Sequence, residues 1–118
     1  MSWKITNSKV DAKLDVKCLI DDIANSPKIK EICERNGIST GHASEIHRLV
    51  SDVIIKIFKE KRMKPSDILL KYSKLADEKT LKELIIEIVK AANSVGEISY
   101  KVGNSSLEEE FSKLESSL

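Results

Sequence analysis

The stretch KEICERNGISTGHASEIHRLV, residues 30–50, predicts two helices joined by a turn. Apolar residues recur at three- and four-residue steps on both sides of Gly37, as they do along the buried face of an α-helix. Gly37 is the expected stop, because glycine takes the left-handed conformation that ends a helix without a steric cost. Ser39 or Thr40 can cap the helix that follows. Two interpretations compete: a helix pair with a specific binding role, and an ordinary corner between two packed helices.

The same periodicity continues on both sides of this stretch and predicts an all-α fold without strands. We expect a compact bundle of five to six helices, with a helix-turn-helix-like pair at about 27–62. Proline, glycine and capping residues predict breaks near Pro27, Gly37, Pro65, Thr80 and Gly103. The predicted helices cover residues 10–25, 27–36, 39–64, 66–76, about 77–102 and about 106–118.

The apolar positions of these helices predict the core. The longest helix should bury one stripe formed by Ala43, Ile46, Val50, Val53 and Ile57. The fourth helix offers Leu69, Leu70, Tyr72 and Leu75 for burial. The two cysteines, Cys18 and Cys33, fall on or beside apolar faces, and we expect them to be buried free thiols.

Length and composition predict a single helical domain over residues 1–118 with a heavily charged surface. The chain is 41% hydrophobic and 33% charged, and a chain of this length can bury a core without disulfides. It contains no signal-peptide pattern and no apolar run near the length that crosses a bilayer. We therefore expect a cytoplasmic protein without a membrane partner.

The net charge of +1 conceals an uneven distribution along the chain. Residues 28–64 carry nine cations and five anions, whereas residues 104–118 carry one cation and four anions. A basic middle beside a candidate DNA-reading helix is what attraction to phosphates requires. The acidic end lies far along the chain, where it need not oppose the approach of DNA.

The spacing of small and apolar residues resembles the repressor-type helix-turn-helix pattern over about twenty residues. Cys33 precedes Gly37 by four residues, Ala43 follows it by six, and Ile38 and Ile46 serve as apolar anchors. The resemblance implies that the second helix enters the major groove with its N-terminal face. The residues that would then contact DNA are Ser39, Thr40, His42, Ser44, His47 and Arg48.

A cationic run follows on the same predicted helix. Its members, Lys56, Lys59, Lys61, Arg62 and Lys64, could bind phosphates at the edge of the same footprint. We therefore predict a small non-enzymatic protein that binds nucleic acid, with duplex DNA as the expected partner.

The sequence gives little support for catalysis or metal binding. RNGISTGH, residues 35–42, resembles the Arg-x(4–6)-His signature of HEPN-type ribonucleases, which would assign phosphate positioning and proton transfer to Arg35 and His42. The motif is short and crosses the turn at Gly37, so we predict no enzyme, no cofactor and no small-molecule substrate. His42 and His47 are five residues apart and make no recognised zinc spacing with Cys33, so we predict no metal site.

The alternative function is an all-helical protein–protein interaction module, acting as an adaptor, accessory subunit or inhibitor. Residues 104–118 read as an acidic helix, either mobile or docked on a partner, with Leu107, Phe111 and Leu114 as the partner-binding residues. The long fifth helix or this last helix could also form a homodimer. Salt dependence distinguishes the two functions, since contacts to phosphates weaken steeply with added salt.

Overall fold

A computed structural model describes residues 8–94, 101–102 and 109, and it describes side chains for residues 16–94 and 109. Within residues 8–94, five α-helices pack together: α1 (Ser8–Ala24), α2 (Pro27–Arg35), α3 (Ala43–Ile55), α4 (Pro65–Lys71) and α5 (Glu78–Asn93). A short 3-10 helix, Thr40–His42, precedes α3, and a π-helical turn, Lys56–Glu60, continues it. The predicted all-α bundle of five to six helices is confirmed, with five helices within residues 8–94.

Helix α3 lies at the centre of the bundle. It packs mainly against α1 and α5, while α2 packs mainly against α5. The buried residues form one cluster around α3 and α5, and Leu49, Val53 and Ile54 of α3 have no exposed surface. On α5 the completely buried residues include Leu84 and Ile88. The predicted stripe of α3 is confirmed at Ile46, Val50, Val53 and Ile57.

The predicted start and stop signals around α2 act as expected. Pro27 is the first residue of α2, and the Ser26 hydroxyl accepts a hydrogen bond from the Ile29 amide at 3.3 Å. Gly37 has a φ of +77°, the left-handed conformation that favours glycine. The expected cap of the next helix by Ser39 or Thr40 is wrong: Ser39 precedes the 3-10 helix without a side-chain capping bond, Thr40 lies inside that helix, and the residue before α3 is His42.

The long helix ends earlier than the sequence predicts. Its regular α-helical part stops at Ile55, and Lys61 adopts a left-handed φ of +57° that closes the π turn. Because the residue before a proline is disfavoured in the helical region, Lys64 is extended ahead of Pro65. Lys61, Arg62 and Lys64 therefore lie on a connection and not on a helix.

This extended connection contradicts the prediction that the chain has no strand. Arg62–Met63 (β1) pairs in parallel with Lys101–Val102 (β2), with Arg62 opposite Lys101 and Met63 opposite Val102. The expected continuation of the fifth helix to residue 102 is consequently also wrong, since α5 ends at Asn93. The break near Gly103 and the last helix lie outside the described residues, apart from Glu109, which is helical and exposed.

Three residues predicted to be buried are exposed. Leu70 is 78% exposed because α4 turns Ile68, Leu69 and Tyr72 toward the core and Leu70 to the opposite side. Cys18 is exposed because it likewise points away from the core, on α1, whereas Cys33 is half-buried. Ala43 lies on the same face of α3 as Ile46 but is exposed, because it borders an open groove between the end of α1, α2 and α3.

Candidate nucleic-acid interface

The polar residues predicted to contact DNA lie at the surface around the start of α3. Ser39, Thr40, His42, Ser44, His47 and Arg48 are all exposed, while Ile46 between them is buried with 6% of its surface accessible. Ser39 begins the 3-10 turn and the other residues follow within the first two turns. Six polar residues are thus exposed around the start of α3, with the buried Ile46 among them.

Both histidines of this face are engaged with carboxylates. A hydrogen bond of 2.8 Å joins His42 Nδ1 to Glu45 Oε1 within the first turn. A second bond of 2.8 Å joins His47 Nε2 to Asp21 Oδ1 and so connects α3 to the C-terminal part of α1. The sequence analysis did not identify Asp21 as a partner, because the pair depends on how α1 packs on α3. These carboxylates reduce the positive charge that this face can offer to a phosphate.

The candidate cationic turn consists of Lys59, Lys61, Arg62 and Lys64, at the opposite end of α3. All four side chains are exposed, and within residues 16–94 none of them forms an ion pair. Alternating with them, Ile57, Met63 and Pro65 are buried and hold the segment against the core. Lys56 is the exception among the predicted cations, since its Nζ lies 3.9 Å from Glu60 Oε1.

A polar network that the sequence did not reveal joins α3 to α4. Asp52 Oδ2 accepts hydrogen bonds from Lys71 Nζ at 2.8 Å and from the Tyr72 hydroxyl. Partial burial by itself would raise the pKa of the Asp52 carboxyl, but the bonds from Lys71 and Tyr72 and the charges of Lys71 and Lys56 lower it. Burial and the nearby Asp52 charge raise the pKa of Tyr72 well above its usual range, although Arg48 opposes that rise.

The four-residue spacing of Arg48, Asp52 and Lys56 was available in the sequence and places them on one helix face. Lys71 and Tyr72 could not be added from spacing alone, because their position depends on the turn at Lys61 and the packing of α4.

An open groove lies between the end of α1, helix α2 and the start of α3. Its volume is about 470 Å³, and its apolar lining includes Ile29, Cys33, Ile38, Ala43 and Ile46. Cys33 and Ala43 are the residues that the helix-turn-helix pattern places at the helix crossing. Here the two helices leave a gap at that point. Burial raises the pKa of the Cys33 thiol, so the thiolate is disfavoured.

The end of α2 is bonded to α5 by an ion pair and a hydrogen bond. An ion pair of 2.8 Å joins Arg35 Nη1 to Glu83 Oε2, and the Asn36 side-chain amide donates to the Ile32 carbonyl oxygen at 2.8 Å and to Glu83 at 3.5 Å. Arg35 and His42, the two residues of the ribonuclease-like motif, thus bind different acids on different elements.

Within the side chains that the structure describes, no group of three or more histidine, cysteine or acidic residues could hold a metal ion. No helix among the described residues combines the length and the apolar character needed to cross a bilayer. The predicted partner-binding residues Leu107, Phe111 and Leu114 lie outside the described residues. Comparison of the chain with protein-family models, with curated proteins and with solved structures found no match.

Proposed function

We propose that this protein binds nucleic acid, with the phosphate backbone of duplex DNA as its principal target. The observation that carries the proposal is the candidate cationic turn, Lys59, Lys61, Arg62 and Lys64. Its four exposed cations have no acidic partner among the described side chains, so all four can face a phosphate. Ammonium and guanidinium groups that neutralise phosphates release counterions from DNA, and this release drives binding.

The buried residues of the same segment support this proposal. Met63 is 2% exposed and Ile57 has no exposed surface, so the backbone that carries the cations is held against the core. A fixed backbone lowers the entropy that the protein loses when it orders its contacts with DNA. The pairing of β1 with β2 also restrains the backbone at Arg62 and Met63.

The exposed start of α3 is the part of the surface that could reach base edges. Ser44 and Arg48 project from its first turns, and arginine binds guanine edges through two parallel hydrogen bonds. His42 and His47 would contribute only by exchanging their carboxylate partners for DNA. We therefore assign most of the affinity to the cationic turn, and assign sequence preference to Arg48.

A fluorescence anisotropy titration with random duplex DNA at several salt concentrations tests this function. We expect binding at low salt that weakens steeply as salt rises. The paired change Lys61→Ala with Arg62→Ala should weaken binding and flatten the logarithmic salt slope by about two units. The matched control, Lys79→Ala with Lys90→Ala, removes the same charge from exposed sites on α5. No binding at low salt, or equal effects of the two double variants, would refute the proposal.

The open groove favours a second candidate function, a protein–protein interaction module. A groove of about 470 Å³ with an apolar floor suits an amphipathic helix of a partner. A photo-crosslinking residue at Ala43, inside the groove, should then capture a partner that stays bound in high salt. The same crosslinker at Cys18, which is exposed on α1, is the control. Equal capture at both sites would argue against a docking groove.

A further inference from the structure

The network between α3 and α4 places one further cation, Lys71, beside Arg48 of the proposed DNA-binding surface. Lys71 Nζ lies 2.8 Å from Asp52 Oδ2, and its side chain is 57% exposed. Arg48 is exposed one helical turn before Asp52, close enough for its charge to act on the Tyr72 hydroxyl. Around this single carboxylate the cations are in excess, so the site can still attract an anion.

The buried part of the network fixes these cations in position. Tyr72 is 7% exposed, and its ring packs in the core while its hydroxyl donates to Asp52. Asp52 therefore accepts a hydrogen bond from Tyr72 on its core side and binds Lys71 at the surface. An ammonium group carries three protons, so Lys71 can donate to Asp52 and to a phosphate oxygen at the same time.

We infer that Lys71 is a second phosphate-contacting site, beside Arg48, that extends the DNA-binding surface from the candidate cationic turn along α3 onto α4. This inference rests on the function proposed above. Steps of four residues place Arg48, Asp52 and Lys56 on one side of the helix, and the π turn that carries Lys59 begins at Lys56, so the two sites adjoin. Arg48 and Lys56 are about 12 Å apart along the axis at 1.5 Å per residue. That distance equals three to four nucleotide steps of about 3.4 Å measured along the axis of a DNA duplex.

The ligand chemistry that this surface fits is a phosphodiester backbone. A row of spaced cations matches a row of evenly spaced charges, whereas a single small anion would use only one of them. Lys56 takes a smaller part, since it already lies 3.9 Å from Glu60. Asp52 would not release Lys71 on binding. It orients the ammonium group, and its own pKa stays low while Lys71 remains charged.

Two experiments with the full chain and random duplex DNA test this inference. Lys71→Ala should weaken binding severalfold and flatten the logarithmic salt slope by about one unit, as the loss of one phosphate contact predicts. Lys74→Ala is the control, because it removes an equal charge from an exposed site three residues away. Thermal unfolding of both variants checks that they remain folded.

The second experiment uses the unmodified protein and does not depend on a variant. Acetylation of lysine amines, followed by mass spectrometry, should show Lys71 protected by DNA while Lys74 and Lys90 stay reactive. Reactive Lys71 in the complex, or equal effects of Lys71→Ala and Lys74→Ala, would overturn this inference and leave the cationic turn as the binding site. If the unmodified protein binds no DNA at low salt, the proposed function fails with it.

Discussion

The two ends of α3 differ in how they pack, although both carry the same apolar pattern. Toward its C-terminal end and in the π turn that follows, Val53, Ile54 and Ile57 have no exposed surface. At its N-terminal end, Ala43 on the same face is exposed and lines an open groove. The N-terminal end is less covered because α2 packs mainly on α5 and makes few contacts with α3. Helical periodicity identifies the face that should be buried, but only the neighbouring elements decide whether it is.

The largest expected effect tests the packed end of α3. Ile54→Ala should cost about 3–5 kcal/mol of unfolding free energy, because it leaves a cavity in fully enclosed core. Ile46→Ala should cost only about 2 kcal/mol, since Ile46 also lines the groove and the lost volume opens to solvent. Denaturant unfolding of the two variants measures both values. Equal costs would mean that the two ends of α3 are equally well packed.

The next effect concerns the network at the middle of α3. Tyr72→Phe should cost about 1–2 kcal/mol at about pH 7, because it removes one hydrogen bond to the partly buried Asp52 carboxylate. Because folding lowers the pKa of Asp52, its charge stabilises the protein above the ordinary aspartate pKa of about 3.9. That contribution is lost as pH falls through the lower pKa of the folded state.

The pH dependence of the unfolding free energy is the control for the network of Asp52, Lys71 and Tyr72. Denaturant unfolding at about pH 7 and at about pH 3 should show a smaller difference between the unmodified protein and Asp52→Asn at the acidic pH. A difference that does not change with pH would mean that the carboxylate charge contributes nothing to holding α4 on α3.

At the turn between α2 and α3, the free energy of unfolding should depend on the backbone conformation and not on the volume of the added side chain. Gly37→Ala should cost about 1 kcal/mol, because its φ of +77° is unfavourable for a residue with a Cβ atom. No atom lies within 4 Å of the added methyl group, so crowding adds nothing. Gly41→Ala is the control in the adjoining 3-10 helix and should be neutral or slightly stabilising. Thermal unfolding compares the two variants.

The sequence predicted the helices and most of the core because local signals and periodicity determine them. Ser26, Pro27 and Gly37 act through contacts within a few residues, so their effect can be inferred without a fold. The sequence-based prediction failed where contacts between distant parts of the chain determine the structure. Met63 pairs with Val102 across two intervening helices, and no local pattern predicts that pairing.

In the candidate site, too, the sequence predicts what local patterns determine and not what distant packing determines. Exposure of Ser44, Arg48 and the cationic turn followed from their positions opposite or beyond the apolar stripe. The acids that bind His47 and Lys71 could not be predicted, since Asp21 and Asp52 meet them only through the packing of α1 and α4 on α3. Whether a surface cation can face a phosphate depends on those partners, and charge counts along the chain do not reveal them.

The smallest expected effect is the sharpest test of the open end of α3. In a tightly crossed helix-turn-helix, a larger side chain at the crossing would overpack the two helices and cost about 1–3 kcal/mol. Here Ala43 borders a groove of about 470 Å³, so Ala43→Leu can place its added carbons against Ile38 and Ile46 without displacing either helix. We expect a change within about 0.5 kcal/mol of zero in denaturant unfolding. The DNA affinity of the variant should also stay unchanged, since the cationic turn lies at the other end of α3. A loss above about 1 kcal/mol would show that α2 and α3 close on each other in solution as in the helix-turn-helix pattern, and would make the groove a poor docking site.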